Sequence, residues 1–447
     1  MVYISVDFKK TKGVIKDVNG TNNGPAGSSV RKNSVFDLYK DLEIPYARLH
    51  DSSFYPDCGG EDSVDVHRIF KNFDADENDP TSYLFGPTDG YIASIVASGT
   101  KPFYRLGASI EHYRKVGTYP PKDFAKWARI CEHIIRHYTE GWADGFNYDI
   151  EYWEIWNEPE CKNADGSNPC WQGTEEEFVD FYEVVAKHLK ACFPNLKIGG
   201  PGFAGNWPQP IYYKFLEAVR DRNIPLDFYT FHLYLKHPTK INVEVKRLLE
   251  RFEEVGVEPV EIMVDEWNYV RGWAGDVYKY SMQSINSLKG SALVAGAFIC
   301  GQAGPVSKLM YYDAHPCAWC GLYDQFLTQQ KTYYVFKMFN QFKKLGNYVV
   351  SDQYKQDNIY YCCASKDDVN GIFITNYSEH DNAPARNVSI DLTSLKGKWG
   401  ANVKFYQVDE EHNGELVYEE QYEEWEDKIE FTMPLFATYY IEITPNE

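Results

Sequence analysis

Two short stretches of this chain place a carboxylate at the far end of an apolar run. The first is Tyr148-Asp-Ile-Glu-Tyr-Trp-Glu-Ile-Trp156, followed by Asn157-Glu158-Pro159. Its aromatic and β-branched residues favour a strand, and Pro159, which cannot donate to a sheet ladder, closes it. The second, Glu261-Ile-Met-Val-Asp-Glu-Trp-Asn268, ends in the same way on Glu266. Cleavage of a glycosidic bond needs two carboxyl groups: one protonates the leaving oxygen, and the other attacks the anomeric carbon or activates water. Glu158 and Glu266 form such a pair. Strict alternation sends Asn157 and Glu158 to opposite faces, so both reach one pocket only if the strand bulges or ends there. By the same alternation Glu266 faces the pocket and Asp265 points away from it. Trp156 and Trp267 flank the two glutamates as apolar walls that would raise the pKa of an acid.

Strands and helices alternate over most of the chain and must position that pair. Strand-like runs fall at Val14–Asn19, Ala47–His50, Lys101–Leu106, the Asn157-Glu158 strand, Leu196–Gly199, Phe228–Tyr234, Glu261–Glu266 and Lys308–Tyr312. Between them lie helical patterns near Asn33–Leu42, Thr88–Ser98, Asp123–Tyr138, Thr174–Lys190, Ile211–Arg222, Val243–Glu254 and Val277–Ala295. Phe124, Trp127, Ile130, Ile134 and Tyr138 recur at helical spacing, and Thr174-Glu-Glu-Glu177 opens its helix with a capping box. Such alternation implies a parallel sheet. Eight units fit an α/β fold of the (β/α)8 TIM-barrel class. The 108 residues from Glu158 to Glu266 divide into three units of about 36. An open doubly wound sheet is the competing architecture, but no glycine-rich phosphate turn follows the first strand.

After Gly346 short strands follow one another without helices, which reads as an accessory β-sandwich. The expected division is a catalytic barrel over 12–342 and a sandwich from 1–11 plus 343–447, with Val2–Phe8 joining the latter. The irregular Asp51–Pro87 stretch, with Asp62 and Asp65 in it, is too long for a connector and should shape the site.

In such a barrel the strands' C-terminal ends form the site. Those ends bring Arg48, His50, Asn157, Glu158, His232, Tyr234, Glu266 and Asp313 together. His232 and Tyr234 share one strand face, although a core histidine bonded to a carbonyl is a competing reading of His232. Arg48 shares the parity of His50 and would orient a glutamate. Trp207, Trp273 and Trp319 lie on rim loops, where they can stack on sugars or pack under a loop.

Trp156-Asn157-Glu158-Pro159, with a second glutamate on the seventh strand, resembles the clan of retaining glycosidases built on (β/α)8 barrels. Within it the chain is similar to glycoside hydrolase family 39, the β-xylosidase and α-L-iduronidase family. The resemblance implies Glu158 as acid/base, Glu266 as nucleophile, and Asn157 on the sugar 2-hydroxyl. It also implies that Tyr234 of His232-Leu-Tyr234 hydrogen-bonds the nucleophile and that His50 of Arg48-Leu-His50 touches the sugar. It departs at His50-Asp-Ser-Ser-Phe54, where relatives keep a glycine.

The chain has 447 residues, 44% of them hydrophobic and 16% aromatic, enough for a sizeable core. Its formal charge of −20 repels nucleic acid and anionic membranes. No apolar run spans a bilayer and no export leader opens the sequence, so a cytoplasmic protein is expected. The 10 cysteines then read as free thiols. Four thiols, Cys161, Cys170, Cys317 and Cys320, could hold zinc, but the spacing of Cys161 and Cys170 does not fit a zinc knuckle. The expectation is a retaining exo-glycosidase, free of cofactor and metal. It would remove terminal β-linked xylose-like, arabinopyranose, glucose or galactose units from oligosaccharides or glycosides. An endo-acting glycanase of the same clan and a catalytically silent sugar-binding barrel are the rivals. A homo-oligomer is compatible with the sequence.

Overall fold

The computed structural model describes residues 1–25, 34–50, 64–111, 115–395, 400–424 and 427–446. Eight parallel strands close into a barrel: Gly20–Asn22, Tyr46–Leu49, Lys101–Leu106, Tyr152–Ile155, Lys197–Phe203, Phe228–Leu235, Glu261–Tyr269 and Lys308–Tyr311. Most of their residues are buried on both faces, as expected of strands with side chains inside and helices outside. Tyr46, Phe103, Tyr152, Phe228, Met263 and Met310 fill the lower barrel as a separate apolar plug. The barrel is therefore a packed core open to chemistry only at its upper end.

Outside, helices Phe124–Thr139 and Glu175–Cys192 lay apolar faces against the strands. The second opens on the expected capping box, with Thr174 and Glu177 bonding each other's backbone N–H. Helix Leu288–Ala303 is buried on nearly every side, because it packs on the barrel and also under strands Ile359–Lys366 and Val369–Asn376 of the second unit. That unit has an eight-stranded sheet facing a three-stranded one. In the smaller sheet Val2–Ser5 runs parallel to Arg386–Asp391. The units are bonded together beside the barrel mouth. Tyr377 donates to the Lys236 carbonyl at 2.6 Å, and Glu379 accepts from Tyr269 and Arg271 at the end of the seventh strand.

Two sequence expectations give way here. Val14–Asn19 is not the first barrel strand: Thr11–Val14 pairs with Asn347–Val349 in the larger sheet, and the barrel begins at Gly20. That strand is only three residues long, and a Cβ on Gly20 would lie 2.4 Å from Met310 Sδ. Short and polar, it has no apolar alternation to read. The crossing between units thus falls between Val14 and Gly20. The single helix expected at Val277–Ala295 is two helices, Gly275–Ile285 and Leu288–Ala303, parted where Ser287 turns extended. Of the long loop after the second strand, residues 51–63, Asp62 among them, lie outside the described residues. From Val64 onward it includes the short helix Val66–Ile69.

Phe298 packs edge-to-face on Phe336 and tilted on Phe339, with ring centroids 5.0 and 4.7 Å apart, and meets Trp267 of the seventh strand. Phe298→Ala is expected to lower stability by about 3–5 kcal/mol, measured by urea denaturation. A change under about 1 kcal/mol would contradict the packing of this helix between barrel and sandwich.

Candidate active site

The fourth strand ends at Ile155, and the backbone then leaves the ladder sharply. Trp156 has φ 77° and Glu158 φ 47°, both left-handed and unfavourable for side chains of this kind. The strain is held by neighbours: Trp156 N–H donates to Leu106 O, its indole N–H to Cys170 O, and Glu158 N–H to Gly202 O. The two left-handed residues let Asn157 and Glu158 approach one site, as strict alternation would not. Trp156 itself turns outward onto Trp127, Trp171 and Phe181. Trp267 likewise packs on Phe298 and Tyr311. Neither tryptophan borders the cleft, contrary to the expected apolar walls.

The seventh strand bulges. Phe231 pairs with Val264 but His232 pairs with Glu266, leaving Asp265 as the extra residue. Asp265 shares the inward parity of Met263, so it points into the barrel, not away from it, and is fully buried, while the bulge brings Glu266 in beside it. Its Oδ2 lies 3.0 Å from Arg48 Nε and 3.7 Å from His232 Nε2. Arg48 is also fully buried, donating to Glu154 Oε2 at 2.7 Å, to Asn157 Oδ1 at 2.8 Å and to Glu266 Oε2 at 3.4 Å. It forms the floor beneath the cleft and does not line it, placed to orient Glu154, Asn157 and Glu266. Glu154, which also accepts from Thr230 at 2.6 Å, was not singled out from the sequence. Its inward parity on the fourth strand was the available clue.

Above this floor His232 Nδ1 lies 2.7 Å from Glu158 Oε1 and 3.5 Å from Glu266 Oε2. Tyr234 donates to Glu266 Oε1, and His50 Nε2 stands 3.6 Å from Glu266 Oε2. An oxygen of Glu158 and an oxygen of Glu266 lie within 4.8 Å of each other, with the His232 nitrogen between them. Asn157 uses its carbonyl on Arg48, and its Nδ2 has no hydrogen-bond partner among the described residues.

These contacts set the charges. Burial alone would push the Glu158 carboxyl up, but the charge and hydrogen bond of His232, with His50 and Arg48 behind, hold it below the ordinary range. Burial would likewise lower His232, yet Glu266, Asp265 and Glu158 outweigh it and raise its pKa well above that of a free imidazole. One proton is thus held in the short His232–Glu158 contact. Burial, joined by the Asp265 carboxylate, lifts Glu154 to about 8 against the pull of Arg48. Burial opposes ionisation of Asp265 too, but Arg48 and His232 keep it far below its usual value. Two residues past Glu158, burial raises Glu160 to about 8 while it accepts from Tyr212 and the Ala204 N–H.

The cleft over these groups measures about 1070 Å3 and is bordered by His50, Glu158, His232, Tyr234, Glu266 and Trp319, together with Trp207 and Trp273. Tyr234, Trp273 and Trp319 form an aromatic cluster on the Glu266 side, with centroids 4.9–5.9 Å apart. Lys162, Lys240, Glu244 and Arg247 make the Glu158 side polar. Asp313 is not on this wall. It is buried, accepting from Asn23 Nδ2 and the His315 N–H, and so braces the loop after the eighth strand, off the cleft wall where the strand-end reading put it. Cys131, Cys161, Cys192, Cys300, Cys317, Cys320, Cys362 and Cys363 are free thiols. No described helix is long and apolar enough to cross a membrane.

Residues 56–271 match the family model of glycosyl hydrolases family 39. The β-xylosidase of Geobacillus stearothermophilus is 29% identical over 216 residues, 45% of this chain and 40% of that protein. The human α-L-iduronidase is 22% identical over 264 residues, 53% and 39% of the two chains. The matched stretch thus spans under half the length of these curated relatives. Whole-chain likeness in fold is found in a glucosidase from Croceicoccus marinus, with a TM-score of 0.78, 19% identity and coverage of 100% and 99%. A monomeric β-xylosidase from Caulobacter crescentus CB15 gives 0.73, 17% identity and full coverage of both chains. Both pair the barrel with a β-sandwich.

Replacing Arg48 by methionine keeps its length and removes the only guanidinium reaching Asp265 and Glu266 among the described residues. The loss in stability should be about 3–5 kcal/mol at neutral pH. Asp265 has a depressed folded pKa, so its contribution is present above the ordinary carboxylate range and lost below it. The deficit of Arg48→Met should therefore shrink as urea titrations move below about pH 4. A deficit that grows with acid would refute this charge assignment.

Proposed function

From the match of residues 56–271 to the model of glycosyl hydrolases family 39, we propose that the chain is a member of that family and a retaining exo-β-xylosidase acting on short oligosaccharides. The observation behind the mechanism is the approach of the Glu158 and Glu266 oxygens within 4.8 Å. Retaining enzymes hold their carboxyl groups about 5–5.5 Å apart, whereas inverting ones leave roughly 6.5–9.5 Å for a water. The assignment of xylose draws on the β-xylosidases of Geobacillus stearothermophilus and Caldicellulosiruptor saccharolyticus, 29% and 28% identical over the matched parts.

Glu266 is the nucleophile. Tyr234 and His50 aim its carboxylate, and it attacks the anomeric carbon from below. Glu158 delivers the proton it shares with His232 to the departing oxygen, so the glycosidic bond breaks as the glycosyl–Glu266 ester forms. Water entering from the leaving-group side then loses a proton to Glu158 and attacks the same carbon. The free sugar leaves with its original configuration, and the carboxylate of Glu266 is regenerated. Asn157 Nδ2, with its carbonyl fixed on Arg48, donates to a sugar hydroxyl as positive charge develops on the ring. The aromatic cluster of Tyr234, Trp273 and Trp319 offers a stacking face. A cleft of about 1070 Å3 is at the top of the usual range for small-molecule sites, about 300–1,000 Å3, and accommodates more than one sugar ring.

The first-formed xylose from xylobiose should be the β-anomer by NMR; first appearance of the α-anomer would sink the retaining assignment. Glu158→Gln should cut kcat/KM on xylobiose by about 10²–10⁴-fold, with a smaller loss on a nitrophenyl β-xyloside whose leaving group needs no proton. Glu266→Ala should be inactive, and azide should restore release with a product of inverted configuration. The alkaline limb of kcat/KM should lie above the ordinary histidine value of about 6.5, because the neighbouring carboxylates retain the His232–Glu158 proton. A limb centred at that ordinary value would show the proton is not shared.

A further inference from the structure

Glu158 presents two chemically different sides. Its Oε1 faces His232 at 2.7 Å, while its Oε2 faces the Cys170 thiol at 3.9 Å. Cys161, half-buried at the edge of the cleft, completes a trio in which the Glu158 oxygen and the two sulfurs all lie within 4.8 Å of one another. The loop between the cysteines is folded back on itself, with Asn163 N–H on Ser167 O and Asn168 Oδ1 accepting from both Cys170 and Trp171 N–H. Both thiols are thereby brought onto the same carboxylate.

We propose that Glu158, Cys161 and Cys170 form a binding site for a thiophilic divalent cation such as zinc, and that its occupancy silences hydrolysis. Zinc–sulfur bonds of about 2.3 Å and zinc–oxygen bonds of about 2.1 Å set tetrahedral ligands about 3.6 Å (S to O) and about 3.8 Å (S to S) apart. The observed sulfur-to-oxygen distance of 3.9 Å already approaches that geometry, and the remaining spans, within 4.8 Å, need at most about 1.2 Å of closure. Two soft sulfur donors select zinc or cadmium over magnesium or calcium. Three protein ligands leave the fourth position to water on the cleft side. A metal on Oε2 occupies the carboxylate that must take up and release a proton, so binding and turnover exclude each other. This last step rests on the role proposed for Glu158; the metal site itself does not.

The test uses the full chain, reduced with a phosphine and titrated with Co2+ in place of zinc. One Co2+ per chain with a thiolate-to-cobalt charge-transfer band is expected, and the band should vanish in Cys161→Ser and Cys170→Ser. Zinc at saturation should slow hydrolysis of a nitrophenyl β-xyloside at least tenfold, reversibly with a chelator. The ratio of inhibited to uninhibited rate in Cys161→Ser should return to near one. Because Cys170 is fully buried, Cys161→Ser decides the matter if Cys170→Ser does not fold. A native chain without the band, or a band that survives Cys161→Ser, overturns the site. Undiminished zinc inhibition in Cys161→Ser also overturns it, placing the ion on Glu158, His232 and Glu266 instead. A native chain that shows the band but hydrolyses no xyloside would leave the metal site standing and count against the glycosidase reading.

Discussion

Arg48 sits without solvent contact at the centre of the barrel, and Glu154, Asp265 and Glu266 all reach its guanidinium within 3.4 Å. Placing a charge there is unfavourable unless each partner is held in position. The barrel meets that demand with residues from four different strands: Arg48 from the second, Glu154 from the fourth, Thr230 and His232 from the sixth, and Asp265 and Glu266 from the seventh. The planar fork of Arg48 fixes the Asn157 side chain at 2.8 Å, and Asn157 precedes Glu158 in the chain. A single buried cation thus sets the orientation of the groups at both ends of the reacting bond. A lysine there would supply charge without the fork and would leave Asn157 free to rotate.

The second layer of control is the sharing of protons among crowded acids. His232 sees Glu158, Asp265 and Glu266, and their combined field keeps its proton in place although burial opposes it. Glu158 therefore keeps a proton within reach while its own carboxyl is held below the ordinary range. The left-handed backbone at Trp156 and Glu158 serves the same end. It is unfavourable locally by about 1–3 kcal/mol per residue, and it is maintained because the Trp156 ring is locked among Trp127, Trp171 and Phe181. Apolar packing outside the barrel thus sustains polar geometry within it.

Residues on regular strands were legible from the sequence. His232 and Tyr234 obey alternation on a long strand, and the strand–helix rhythm was strong enough to indicate eight units and a trailing sandwich. What escaped notice depended on departures from regularity. Asp265 and Glu266 both face inward because of a bulge that no local residue pattern announces. The first barrel strand is three residues beginning at a glycine chosen for close approach to Met310, so it has no periodicity to detect. Asp313 lies in a loop whose course is set by contacts with distant Asn23. The split of the long helix near Ser287 arises where Leu288–Ala303 must lodge between two units, a tertiary demand that helix periodicity does not report.

The pairing of Val2–Ser5 with Arg386–Asp391 has a bearing on biosynthesis. This segment leaves the ribosome before the barrel does, and its neighbour in the sheet is made only after the entire barrel has been translated. Until then the nascent chain exposes an unsatisfied strand edge, a surface other polypeptides could extend. Vectorial synthesis and final assembly consequently run in different orders, and guarding that early edge becomes a task for whatever meets the chain as it emerges.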